Sequence, residues 1–123
     1  MRQLGELEAL VMAKLWDSTN PVSVREVVEQ LQAERTLAYT TVMTVLSRLA
    51  TKGLLRRQIE GRSWMYSPTL SRADYAAEQM QEVLQSSADQ GTVLLRFVDR
   101  MEAGELAALR EALSLTEPPE GPR

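Results

Sequence analysis

Apolar positions recur at helical spacing three times along the first half of the chain, and then the period switches to alternation. From Gly5 to Asp17, Leu7, Leu10, Val11, Met12, Leu15 and Trp16 supply one wide apolar face. Glu6 and Glu8 suit the N-terminal turn of such a helix and Lys14 its C-terminal end, because the helix dipole favours anions first and cations last. Ser18-Thr19-Asn20-Pro21 reads as a turn. Ser23 can cap a second helix, and Glu26, three residues on, completes a capping box. Val22 and Val27 are placed as a hydrophobic staple, and Val24, Val27, Val28 and Leu31 form the apolar stripe. This helix is expected to end near Glu34. A third helix is expected from about Tyr39 to Lys52, with Val42, Val45, Leu46 and Leu49 on its apolar face. Thr40, Thr41, Thr44, Ser47 and Arg48 fall on another face, and Lys52-Gly53 closes it with a last-turn cation and a left-handed glycine.

From Leu54 to Pro68 the pattern alternates, with Glu60-Gly61-Arg62-Ser63 as the turn of a β-hairpin. A two-stranded ribbon is marginal alone, so it must pack on the helices. Leu55, Ile59, Trp64 and Tyr66 are the expected anchors, with Trp64 and Tyr66 sharing a face. Beyond Pro68 the chain becomes helical and acidic. Ser71 and Asp74 resemble another capping box, and Tyr75, Ala76, Met80, Val83 and Leu84 make an apolar face. A break is expected at Gly91, then a stripe of Val93, Leu94, Phe97, Val98 and Met101. A second break is expected at Ala103-Gly104, then Leu106, Leu109 and Leu113. The segment 117–123, rich in proline and glutamate, is expected to be disordered. These stripes are too few and short to enclose a core. A homodimer is therefore expected, with Met80, Val83, Leu84, Leu94, Phe97, Val98, Met101, Leu106, Leu109 and Leu113 as its seam.

The expected fold is mainly α with a small β-hairpin. It comprises an N-terminal winged helix-turn-helix (1–70), a C-terminal helical dimerisation region (71–116) and a tail (117–123). The chain contains neither cysteine nor histidine. That removes disulfides, thiolate metal sites, the commonest general base and the commonest metal ligand. With no Walker loop, EF-hand loop or GxGxxG pattern, neither an enzyme nor a cofactor or metal is expected. No apolar run approaches the roughly 20 residues of a membrane span. The first residues show no secretion signal, so membrane insertion is not expected and a cytoplasmic location is.

The net charge of −3 at first argues against nucleic acid, but its distribution reverses that impression. Residues 1–70 carry net +2 and residues 71–123 net −5. Between Arg35 and Tyr66 stand six cations (Arg35, Arg48, Lys52, Arg56, Arg57 and Arg62) against the single acid Glu60. Phosphate binding depends on the local patch more than on the total.

ELEALVMAKLW near the start, AYTTVMTVLSRLATKGLL in the centre, the wing RRQIEGRSWMYSP and the acidic helical tail together resemble the BlaI/MecI penicillinase repressor family, most closely its actinobacterial branch. The resemblance runs over residues 4–115 and is strongest from Tyr39 to Tyr66. It implies a dimeric repressor that binds palindromic operators and controls β-lactamase, penicillin-binding-protein or sensor-protease genes. It also brings a membrane sensor protease as a candidate partner, since induction in several members follows cleavage in the dimerisation region. Two departures stand out. The staphylococcal cleavage site joins Asn to Phe, whereas Arg96 precedes Phe97 here. The C-terminal cysteine pairs of copper-responsive relatives are missing.

Thr40, Thr41 and Thr44 lack a stability rationale on an exposed helix face, since threonine is a poor helix former. Their hydroxyls and methyls suit phosphates, base edges and thymine methyls. Met43 fits a base edge or the neighbouring helix equally well, and Tyr39 a phosphate or the core. Arg48, Lys52 and the wing-tip Arg62 are expected on phosphates. Arg56 and Arg57 are adjacent and point to opposite faces, so at most one meets DNA. Two other functions fit the same pattern: a PadR-like repressor sensing a small molecule through its C-terminal helices, and a winged-helix protein-interaction module that binds no DNA.

Overall fold

Ser23 and Glu26 form the capping box their spacing announces. Ser23 Oγ accepts from the Glu26 N–H at 3.2 Å, and Glu26 Oε1 accepts from the Ser23 N–H at 2.9 Å. The computed structural model describes residues 2–116, so the expected disorder of 117–123 lies outside the described residues. The elements run α1 (Glu6–Asp17), β1 (Val22–Ser23), α2 (Val24–Leu31), α3 (Tyr39–Thr51), β2 (Leu55–Glu60), β3 (Ser63–Pro68), α4 (Arg72–Gln85), α5 (Gln90–Asp99) and α6 (Ala103–Thr116). Helix α2 stops at Leu31, and turn residues fill the stretch to Glu34. The chain divides into two compact units between Met80 and Gln81, a boundary that falls within α4.

In the first unit the apolar stripes of α1, α2 and α3 meet the base of the sheet. Val11, Met12, Leu15, Val27, Leu31, Val42, Leu46 and Leu49 are each at most 1% exposed. Burying side chains of this size stabilises by roughly 1.5–3 kcal/mol apiece before entropy is counted. The hairpin is joined by a third strand. β1 pairs antiparallel with β3 through Val22↔Tyr66 and Ser23↔Met65, giving the order β1-β3-β2. Two residues are too short for periodicity to reveal, and Val22 serves at once as strand and buried staple. Gly53 and Gly61 take positive φ, 81° and 66°, where the helix closes and where the hairpin turns.

Only half of the expected wing anchors are buried. Leu55 and Tyr66 are 3% and 2% exposed, whereas Ile59 and Trp64 are 62% and 43% exposed. The helices support the base of the ribbon and its tip projects beyond them.

The start of α4 belongs to the first unit and is fastened there. Ser71 Oγ accepts from the Asp74 N–H at 3.0 Å. The Trp16 indole N–H donates to the Leu70 carbonyl at 3.0 Å, and its ring stands 5.5 Å from that of Tyr75. The Tyr75 hydroxyl donates to the Arg2 carbonyl at 2.7 Å, and Arg2 forms a two-pronged ion pair with Glu78.

The second unit has the expected helices but with shifted breaks. Gly91 and Gly104 lie in the first turns of α5 and α6, not between helices. Asp89 caps α5 by accepting from the Thr92 N–H at 3.1 Å, and Glu105 Oε1 accepts from the Glu102 N–H at 2.9 Å. No described residue of this unit is buried. Val83, Leu94, Phe97 and Leu113 are exposed, as is Met80 just before the boundary, while Leu84, Val98, Met101, Leu106 and Leu109 are half-buried.

Candidate nucleic-acid interface

Helix α3 turns its valines and leucines inward, and the same rotation sets a polar face outward. Tyr39 opens the helix and is 51% exposed; Thr40 and Thr44 are exposed, Thr41 is half-buried, and Met43 is 41% exposed. Ala38 precedes the helix in an extended conformation without a side-chain cap, and the first turn holds no acid. The first amide groups therefore keep their attraction for an anion. Thr44 Oγ1 donates to the Thr40 carbonyl at 2.9 Å. Its proton is spent on the helix, which leaves the oxygen lone pairs and the methyl to meet a partner. Further along, Met43, Thr44, Ser47, Arg48, Thr51 and Lys52 line a shallow open groove.

The six central cations are not equivalent. Arg35 donates to Glu6 Oε1 at 2.8 Å, and Lys52 donates to Glu8 Oε1 at 2.8 Å and to the Gln3 carbonyl at 3.0 Å. Lys52, expected on a phosphate, is thus engaged by the protein's own carboxylate and holds the end of α3 against α1. Partial burial pushes the Glu8 carboxyl up, but the Gly5 N–H and Lys52 outweigh it, and the group titrates below its ordinary value. Arg48 is exposed and forms no ion pair among the described residues, although its charge is felt at Glu8. Arg62 stands exposed at the hairpin turn. The neighbours Arg56 and Arg57 do point to opposite faces, and Arg57 stacks over the Trp64 ring with 4.6 Å between guanidinium carbon and centroid. Ile59, Trp64 and Arg57 form an exposed surface that alternation alone does not reveal, because it shows which residues share a face but not where the core ends.

Among the described residues no group of His, Cys, Asp or Glu could hold a metal ion, and no helix is long and apolar enough to cross a membrane.

Residues 4–115 match the family model of the penicillinase repressor. The transcriptional regulator BlaI of Mycobacterium tuberculosis is 44% identical over 126 residues, spanning 100% of this chain and 91% of that one. The penicillinase repressor of Bacillus licheniformis is 33% identical over 73 residues, 59% of this chain and 56% of that one. The solution structure of the DNA binding domain of the repressor BlaI matches with a TM-score of 0.53 at 33% identity, over 59% of this chain and 88% of that chain. The Bacillus licheniformis BlaI monomeric form in complex with the blaP half-operator matches with a TM-score of 0.50, also at 33% identity and over the same shares. This chain belongs to the penicillinase repressor family, a family of winged-helix transcription repressors and not of enzymes.

Proposed function

We propose that the protein is a homodimeric repressor that binds a two-fold symmetric DNA operator and controls β-lactam-response genes. The observation that carries this reading is the exposed face of α3, where Thr40, Thr44 and Arg48 have no packing role, in a chain 33% identical to a repressor solved on its half-operator. In this reading α3 enters the major groove. Thr40, Thr41, Thr44 and Met43 meet base edges, the Tyr39 hydroxyl meets a phosphate at the helix start, and Arg48 and Arg62 hold phosphates. Lys52 acts indirectly, by fixing the end of α3 through Glu8. With threonine methyls rather than arginine forks on the first turns, the preferred site contains A·T pairs.

The second unit supports the dimer, because none of its apolar side chains is buried among the described residues. Pairing two copies through Met80, Val83, Leu84, Leu94, Phe97, Val98, Met101, Leu106, Leu109 and Leu113 would cover them. A two-fold symmetric operator asks for two recognition helices about 34 Å apart, one turn of DNA, and two copies supply the pair. Such a repressor works in the cytoplasm. The names of the relatives support β-lactam-response genes as targets. A membrane sensor protease is the partner the resemblance brings, but the bond to be cut would be Arg96–Phe97 within α5, and cleavage there is not part of the proposal.

The test is binding of the host's promoter fragments over a salt series, with random duplex as competitor. Selective binding of a symmetric site with a steep salt slope is the expected result. Uniformly weak binding at every salt concentration would overturn the repressor reading and favour a protein-interaction role. Selective binding to promoters unrelated to β-lactam response would overturn only the choice of target genes.

A further inference from the structure

The register of the hairpin places Leu55 opposite Pro68, Arg57 opposite Tyr66 and Ile59 opposite Trp64, so these six residues share one face of the ribbon. Leu55 and Tyr66 are buried against the helices, which makes this the helix side of the wing. Past the edge of the core the same face continues as Ile59, Trp64 and Arg57, all exposed. The opposite face of β2 carries Arg56, Gln58 and Glu60 and is wholly polar. A ribbon needed only for solubility would show the reverse, polar residues wherever the core no longer covers it. An exposed isoleucine and indole side by side mark a surface that meets something.

Charge identifies the occupant. The wing holds Arg56, Arg57 and Arg62 against Glu60 alone, so a second wing of the same kind would be repelled and an anionic surface attracted. Arg57 is held over the Trp64 ring, which keeps its guanidinium beside the apolar pair. The sugar–phosphate backbone of a duplex offers apolar edges and anions together, with deoxyribose C–H groups beside each phosphate. We infer that Ile59 and Trp64 form an apolar clamp on the DNA backbone beside the recognition helix, with Arg57 on the adjoining phosphate. The clamp rests on the proposed DNA-binding function and adds to it a wing contact that is apolar rather than purely electrostatic.

The chain has two tryptophans, Trp16 and Trp64, so Trp16→Phe leaves Trp64 as the sole indole. Its emission and its quenching by acrylamide are followed while a fluorescein-labelled mixed-sequence duplex is bound, with anisotropy of the label reporting binding independently. If Trp16→Phe does not fold, the difference between wild type and Trp64→Phe gives the same signal. The expected result is loss of acrylamide access to Trp64 in step with anisotropy. Trp64→Ala should weaken binding about tenfold, as expected for losing a half-buried aromatic contact, with the salt slope unchanged. Arg57→Gln should lower the slope by about one. A duplex that binds while Trp64 stays fully accessible would overturn the clamp and leave the repressor reading standing. No binding to any duplex would overturn both. Protection of Trp64 that grows with protein concentration in the absence of DNA would overturn the clamp in favour of self-association.

Discussion

Thr44 shows what a single side chain would offer DNA in the proposed reading. Its hydroxyl proton is given to the Thr40 carbonyl, so the group facing outward is a methyl with an acceptor oxygen beside it. If the methyl packs on a thymine methyl, Thr44→Val keeps the sequence preference and Thr44→Ser loses about 1 kcal/mol of it, roughly the worth of one buried CH₂ group. Competition binding between an operator and its thymine-to-uracil version distinguishes the two; equal preference in all three proteins would assign the face to phosphates instead. Lys52 and Arg48 make a second contrast on the same helix. Lys52→Gln should cost under about 1 kcal/mol of stability, as for a surface ion pair, and leave the salt slope of binding unchanged. Arg48→Gln should lower that slope by about one on every duplex. The difference is invisible in the local sequence. Glu8, which engages Lys52, lies 44 positions away, and Glu6, which engages Arg35, lies 29 away, so only the folded α1 shows which cations of the central cluster meet the protein's own carboxylates.

Among the elements, the hairpin divides into a buried base and an exposed tip. Tyr66→Ala should cost about 3–5 kcal/mol and Leu55→Ala about 2–5, as for large buried side chains. Ile59→Ser should stay within about 0.5 kcal/mol, because nothing in the core touches it. Denaturant unfolding of the three variants measures this directly, and a large loss for Ile59→Ser would mean that the tip packs more tightly than its exposure indicates. The elements legible in the sequence are those with a local physical signature: the Ser23–Glu26 capping box, the inward valines and leucines of α3, and the glycine turn of the hairpin. The ones that were not have identifiable reasons. β1 is too short to show a period and exists only because β3 offers it a partner. Gly91 and Gly104 suggest breaks, yet each sits in a first helical turn, where the amide groups lack partners in any case and glycine costs little. The true breaks are marked by Asp89, whose side chain caps α5, and by Glu105, whose carboxylate accepts from the Glu102 N–H at the start of α6.

For the whole molecule, titration and assembly are the two properties that no single element sets. Without histidine or cysteine, no side chain has its ordinary titration near neutrality, so DNA affinity should be flat from about pH 6 to about pH 8. The acid side is different. Hydrogen bonds from Lys14 to Glu34, from Arg2 to Glu78 and from Thr92 to Asp89 hold those carboxyls below their ordinary values, and Glu8 is lowered as well. Each takes up its proton less readily in the fold than in the unfolded chain. The stability they supply is therefore present at neutral pH and is lost as the pH falls through the lowered values, so thermal midpoints should drop below about pH 4.5. The proposed dimer draws on the second unit, where Phe97 is 49% exposed in a single chain and no described residue is buried. Phe97→Asp places a charge in the proposed seam while leaving residues 2–80 untouched. Sedimentation should then show monomers at concentrations where the wild type is dimeric. Binding to a full symmetric operator should fall to the level of a half-site, while binding to an isolated half-site should not change, because each winged helix still carries its own α3 and wing. A variant that remained dimeric would place the seam elsewhere on α4–α6. A monomer that kept full affinity for the symmetric site would show that the two halves of the operator are read independently, and the dimer would then have no part in recognition.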